Sequence, residues 1–231
     1  MEVGTISTGD PLRVMIVDDH ELARESLKYM FSDAPGIEIV GEAENGLAAL
    51  AACARLRPDL VLMDVRMPEM DGLTATRELK KKHPRTSVLM LTMHDNPDYL
   101  LEALKAGASG YVLKDAAEED VVSAVRQVRD GESPLDPKLA ARLLRRMATG
   151  EGGRRGERRA QPLAQPLTSR EVEVLGFLKL GRTNRQIAEE LYISVGTVKN
   201  HVEHIIQKLG VSDRTQAVVR SLEMGLLELS E

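Results

Sequence analysis

Asp18, Asp19, Asp64, Thr92 and Lys114 stand at or just after the ends of short apolar runs, and together they could carry phosphoryl chemistry. The clearest run, Leu60-Val61-Leu62-Met63-Asp64, is opened by Pro58-Asp59 and closed by Pro68 and Gly72, so it ends on a carboxylate where the chain turns. Gathered carboxylates repel one another, and near neutral pH they coexist if a cation compensates or one carboxyl keeps its proton. Hard oxygen donors favour Mg²⁺, which takes one or two carboxylates and completes its shell with water and phosphate oxygens. With the repulsion shielded, Asp64 can attack an electrophilic phosphorus and form an acyl phosphate. Lys114 can pair with the transferred phosphoryl oxygens, and Thr92 can hydrogen-bond one of them. Singly, each residue has an ordinary use, as a helix cap, a surface lysine or a strand threonine. Their conjunction at several strand ends points to a site.

A parallel sheet would gather them. Strand signals run over 12–17, 37–40, 60–64, 87–91 and 110–113, the last two leading into Thr92 and Lys114. Between them the periodicity predicts helices: one after His20 with Leu22, Leu27, Met30 and Phe31 on one face, then 46–56, 73–82, one from Pro97 to Ala106, and 118–128 with Val121, Val122, Val125 and Val128 aligned. Five strand–helix alternations predict a five-stranded, doubly wound parallel sheet whose strands end along one edge. The single cysteine, Cys53, lies in an Ala-rich helical pattern and reads as a small packing residue.

The second half follows another plan. A short basic helix is expected at about 137–148. The stretch TGEGGRRGERRAQPLAQP at 149–166 lacks a core-forming period and reads as a solvated linker, its arginines at 154, 155, 158 and 159 included. From Leu167 onward the pattern is helical. Thr168 and Glu171 form a capping box for a helix over 169–180, and Gly181 ends it. Asn184 is the expected cap of a helix through Leu191, Ser194 of one through Leu209 closed by Gly210, and Ser212 or Asp213 of a last one through 224–225. Four helices with a tight turn between the middle pair make a helix-turn-helix pattern. In the helix 195–209, Val195, Val198, Val202, Ile205, Ile206 and Leu209 share one face, while Thr197, Asn200, Glu203, His204 and Gln207 lie opposite with Lys199 at the flank. Such a helix can enter a major groove, with Lys199 on phosphate or guanine, Asn200 on adenine and Glu203 accepting from cytosine. His201 and His204 lack companions at metal-ligand spacing.

The bulk properties agree with two soluble domains. The 231 residues are 42% hydrophobic and 29% charged, with 3% aromatics and no Trp, which disfavours stacking platforms. Net charge is −5, but residues 1–137 hold 25 acidic against 15 basic side chains and residues 138–231 hold 11 against 16, so the second half is the candidate for nucleic acid. One cysteine suits a reducing cytoplasm. The absence of a long apolar stretch disfavours secretion and membrane spanning. Residues 1–11 read as a mobile lead-in.

Val17-Asp18-Asp19-His20, the stretch from Met63 to Gly72, Leu91-Thr92 and Tyr111-Val112-Leu113-Lys114 resemble the receiver domain of bacterial two-component response regulators. Leu167 to Leu175, Asn184 to Ala188, Ser194 to His201, Lys208 to Val211 and Arg214 to Ala217 look like a LuxR-type helix-turn-helix. Together they resemble the NarL/FixJ family, with the cell-stress regulators related to LiaR and VraR as the suggested subgroup. The resemblance implies a flavodoxin-like receiver over 12–132, a linker over 133–166 and an all-α four-helix DNA-binding domain over 167–231. It implies that Asp64 takes its phosphoryl group from a sensor histidine kinase. Asp18, Asp19, Asp64 and the Arg66 backbone carbonyl would serve Mg²⁺, Asp18 through a coordinated water. Thr92 and Tyr111 would form the switch pair, the hydroxyl moving toward the phosphoryl group and the ring turning inward. Phosphorylation would promote a homodimer that binds double-stranded promoter DNA through Ser194, Thr197, Val198, Lys199, Asn200, Glu203 and His204, with RNA polymerase as a further partner. The expected protein is thus a cytoplasmic bacterial transcription factor, not an enzyme beyond slow self-catalysed chemistry at Asp64. The competing expectations are a Mg²⁺-dependent phosphohydrolase and a ligand-gated LuxR-type regulator. Asp115 rather than Pro follows Lys114, and Glu203 stands where some members carry a basic or small side chain.

Overall fold

The computed structural model describes residues 10–92, 97–132 and 165–227. The expectations for 1–9, for the helix near 137–148 and for the arginine-bearing linker fall outside them. The elements are β1 (Leu12–Val17), α1 (Glu21–Ser32), β2 (Ile37–Ala43), α2 (Gly46–Leu56), β3 (Leu60–Asp64), α3 (Gly72–Lys82), β4 (Ser87–Thr92), α4 (Pro97–Ala106), β5 (Gly110–Leu113) and α5 (Glu118–Arg129). After them come α6 (Ser169–Lys179), α7 (Asn184–Leu191), α8 (Val195–Leu209) and α9 (Arg214–Glu223). Two compact units result, one holding the sheet and the other α6 to α9, with residues 97–105 grouped in the second. Among the described residues no helix is long and apolar enough to cross a membrane.

All five strands are parallel, in the order β2-β1-β3-β4-β5. Every residue of β3 is buried, as its unbroken apolar run requires of a strand covered on both faces. One side of the core packs Val14, Ile16, Leu60, Leu62, Leu89 and Leu91 against Phe31, Val121 and Val125. Strand β2 runs three residues past its expected end, to Ala43. Leu22 departs from its expected place: it is 84% exposed. It precedes Leu27 by five residues, about 140° around a helix, and so leaves the buried stripe. Cys53 is buried, as expected of a packing residue, and burial pushes its thiol up to about 11.

In the helical unit Val174, Leu175, Ile187, Val198, Ile205 and Ala217 form the core. The Thr168–Glu171 capping box is present. A second box opens α7, but its cap is Thr183, paired with Gln186, and not Asn184. Asn184 is buried and accepts a hydrogen bond from Arg214 Nη1 at 3.2 Å, so its side chain ties α7 to α9. Ser194 and Asp213 cap α8 and α9, and Gly210 closes α8 at φ 65°.

Candidate functional site

The strand register brings the predicted residues together in a stepwise line. Val17 pairs with Met63, Asp64 with Leu91 and Thr92 with Leu113. Asp18, Asp64, Thr92 and Lys114 therefore each stand one position beyond a paired residue of the neighbouring strand. The order of the sheet reverses between β1 and β3, where open α/β sheets form their ligand crevice, and Asp18 and Asp64 flank that point.

The side chains meet there. Lys114 Nζ lies 2.5 Å from Asp18 Oδ2 and 3.1 Å from Asp64 Oδ2. Asp64 Oδ1 accepts a hydrogen bond from the Val65 amide at 2.8 Å, and Asp18 Oδ1 accepts one from the His20 amide at 3.0 Å. Burial pushes the Asp64 carboxyl above the ordinary aspartate value; Lys114 opposes this and the charge of Asp18 adds to it. Burial by itself would lower Lys114, but contact with the two carboxylates outweighs it and holds the ammonium above its ordinary value. A lysine thus supplies the compensating cation that the acidic residues require.

The local sequence shapes this edge. Gly72 begins α3 directly under the end of β3: a Cβ there would lie 1.9 Å from the Asp64 carbonyl oxygen. Asp71 caps the helix by accepting from the Thr74 amide at 2.7 Å. Arg66 follows Asp64 by two residues in the intervening loop and is exposed. Thr92 and Tyr111 are each 1% exposed, so the ring expected to turn inward lies buried in this structure.

Two carboxylates, Asp18 and Asp19, stand together as the oxygen donors that a hard divalent cation takes. Asp18, Asp19 and His20 offer ligand atoms within 4.8 Å of one another. Asp18 Oδ2 is buried and receives no hydrogen bond beside its ion pair with Lys114. The sequence assigned no chemical role to His20, although it closes the Val17-Asp18-Asp19-His20 motif, or to Arg24. His20 Nδ1 lies 2.8 Å from Asp19 Oδ1, and Arg24 Nη1 donates to the Asp18 carbonyl oxygen at 2.8 Å. The position of His20 next to two acids was the available signal; a helix residue six positions beyond Asp18 offered none.

The helix-turn-helix residues are arranged differently. Ser194, Thr197, Lys199, Asn200, Glu203 and His204 are exposed along α8. Ser194 Oγ accepts from the Thr197 amide at 3.1 Å and lies 2.8 Å from Thr197 Oγ1. Val198, expected among the DNA contacts, is fully buried, because the apolar stripe of α8 turns it into the core. Val195, expected on the buried stripe, is 41% exposed. It is in line with Val202, but as the first helical residue it overhangs the buried layer that begins at Val198. Behind α8 the buried Glu171 accepts from Lys208 Nζ and from the Thr168 amide, both at 2.7 Å, with His204 Nδ1 at 4.0 Å. Burial would raise Glu171, yet Lys208 and Thr168 hold it below the ordinary glutamate value. This brace links α6 to α8 across 37 positions and had no local sequence signature beyond the capping box.

Comparison with known proteins matches both halves of the chain. The family described as response regulator receiver domain matches residues 14–126, and bacterial regulatory proteins of the luxR family match residues 165–221. The chain is 40% identical over 226 residues to the transcriptional regulatory protein DegU of Brevibacillus brevis, covering 94% of this chain and 96% of that protein. It is 39% identical over 217 residues to the response regulator protein VraR of Staphylococcus aureus, covering 94% and 99%. Its structure is similar to that of the response regulator ChrA of a heme-sensing two-component system, with 36% identity, a TM-score of 0.50 and coverage of 94% and 99%.

Proposed function

The chain belongs to the two-component response regulators with a receiver domain and a LuxR-type DNA-binding domain, and from that premise we propose that Asp64 is the phosphoacceptor whose state controls binding to DNA. The observation that carries the proposal is the buried arrangement of Asp64 and Asp18 around Lys114 at the sheet's reversal point. In this reading a carboxylate oxygen of Asp64 forms the new O–P bond as the P–N bond to a histidine of the sensor kinase breaks. The donor imidazole leaves with the electron pair. Lys114 exchanges its carboxylate partners for phosphoryl oxygens, and the Thr92 hydroxyl donates to another. Mg²⁺, when bound by Asp18, Asp19, Asp64 and the Arg66 carbonyl, screens the charge between nucleophile and phosphoryl group.

The transferred group adds a dianion beside a buried threonine and tyrosine, and so biases a two-state element formed by Thr92 and Tyr111. The receiver, taken as 12–132, then pairs with a second copy. The DNA-binding domain, 167–231, engages promoter half-sites through Ser194, Thr197, Lys199, Asn200, Glu203 and His204, and RNA polymerase is the downstream partner in the cytoplasm. The receiver match and the regulator relatives support this reading over the phosphohydrolase and ligand-gated alternatives.

The test is to expose the full chain to a small phosphodonor with Mg²⁺ and map the product by mass. One base-labile phosphoryl group on Asp64, lost in Asp64→Asn and without Mg²⁺, is the expected result. Equal labelling of Asp64→Asn contradicts it.

A further inference from the structure

We infer that the first turn of α8 reads a thymine: Val195 packs on the 5-methyl group of a T·A pair in the major groove, and Gly196 is the gap that admits the DNA. The inference rests on α8 being the helix that faces DNA. Its starting point is a valine displaced from its expected place. Val195 continues the stripe of Val198 and Val202 but is 41% exposed. An exposed valine alone is ordinary. Its neighbour is not so easily explained.

Gly196 is the second residue of α8 and is exposed. Its φ is not positive, and a Cβ built on it would meet only Ser194 Oγ, at 3.7 Å. Neither backbone conformation nor packing within the described residues calls for glycine there. Glycine nonetheless loses more conformational freedom than alanine on joining a helix. The contrast with Gly72 is direct, since there a Cβ would strike backbone. A glycine that the fold does not need, on an exposed face, fits close approach by an outside body.

The neighbours favour DNA as that body. Ser194 and Thr197 engage each other and the helix cap, and Val195 is the exposed apolar side chain of the first turn. Thr197, Lys199 and Asn200 continue the exposed surface along the helix. Recognition helices contact base edges with their N-terminal residues, and the thymine methyl is the apolar mark in the major groove that an aliphatic side chain can read.

The full chain is used to select sites from a random duplex pool, and each thymine of the selected half-site is then replaced by deoxyuridine, which lacks the methyl group. Wild type is expected to lose about fourfold in affinity at one thymine position, the effect of one buried methyl. Val195→Ala should bind more weakly and be indifferent to that replacement. Gly196→Ala should melt at a higher temperature yet bind the selected duplex at least about tenfold more weakly, as overpacking of a tight contact predicts. Undiminished uridine sensitivity in Val195→Ala, no sensitive thymine in wild type, or wild-type affinity in Gly196→Ala each overturns the inference. Failure of the full chain to select any sequence instead overturns the DNA-facing reading of α8.

Discussion

The carboxyl edge of the sheet and the outer face of α8 handle charge in opposite ways. At the edge, Asp18 and Asp64 are buried and share Lys114 with each other, and Thr92 and Tyr111 are buried as well. On α8, Thr197, Lys199, Asn200 and Glu203 stand in solvent. A switch needs charge where water cannot screen it, because only there does one added phosphoryl group shift a packed structure appreciably. A surface that meets a polyanion needs accessible groups that can exchange counterions. Substitutions at the edge should therefore disturb the fold, and substitutions on the outer face of α8 should spare it.

The largest expected effect tests the first half of that contrast. Gly72→Ala forces a Cβ against the Asp64 carbonyl oxygen, and urea denaturation should show a loss of about 3 kcal/mol in receiver stability. An unchanged midpoint would separate the acidic site from the fold. Next comes the inner side of α8, where Glu171→Ala removes one half of the capping box, the bond from the Thr168 amide, and the ion pair with Lys208. The helical unit should lose about 2 kcal/mol in the same assay, which would divide α8 into a fold-coupled back and an independent front.

The same carboxylate predicts a pH dependence. Glu171 titrates below the ordinary value of 4.5 in the folded protein, so the unfolded chain takes up its proton more readily. The stability it supplies is complete above that ordinary value and is lost as pH falls through the lower, folded value. Acid titration of helical-unit stability should show this loss in wild type and not in Glu171→Gln. Smallest in its effect on the fold is Lys199→Ala, whose stability should stay within about 0.5 kcal/mol of wild type. Its DNA affinity should nonetheless depend less on salt, the slope of log K against log[salt] falling by about 0.9. An unchanged slope would remove Lys199 from the phosphate contacts.

The two regions also differed in how much of them could be read from sequence. Buried parallel strands are unbroken apolar runs, so β1, β3, β4 and β5 end where the runs meet Asp18, Asp64, Thr92 and Lys114. The amino-acid order does not state that β1 lies between β2 and β3, and the meeting of those residues depends on that crossover. Local chemistry correctly placed the Thr168, Ser194 and Asp213 caps. It misplaced Leu22 and Val195, because periodicity gives a side chain's angle on a helix but not whether a neighbour covers it there. It also missed the Glu171–Lys208 brace and the Asn184–Arg214 bond, which join positions 37 and 30 residues apart.

The chemical state of Asp64 should govern DNA binding by the outer face of α8. The most direct test measures dimerisation and duplex binding by the full chain with and without a phosphodonor and Mg²⁺, for wild type and Asp64→Asn. Phosphodonor should strengthen dimerisation and DNA binding of wild type by at least about fivefold, the lower end of ordinary allosteric coupling, and leave Asp64→Asn unchanged. An equal response in the two proteins, or none in wild type once Asp64 is shown to be phosphorylated, would contradict it.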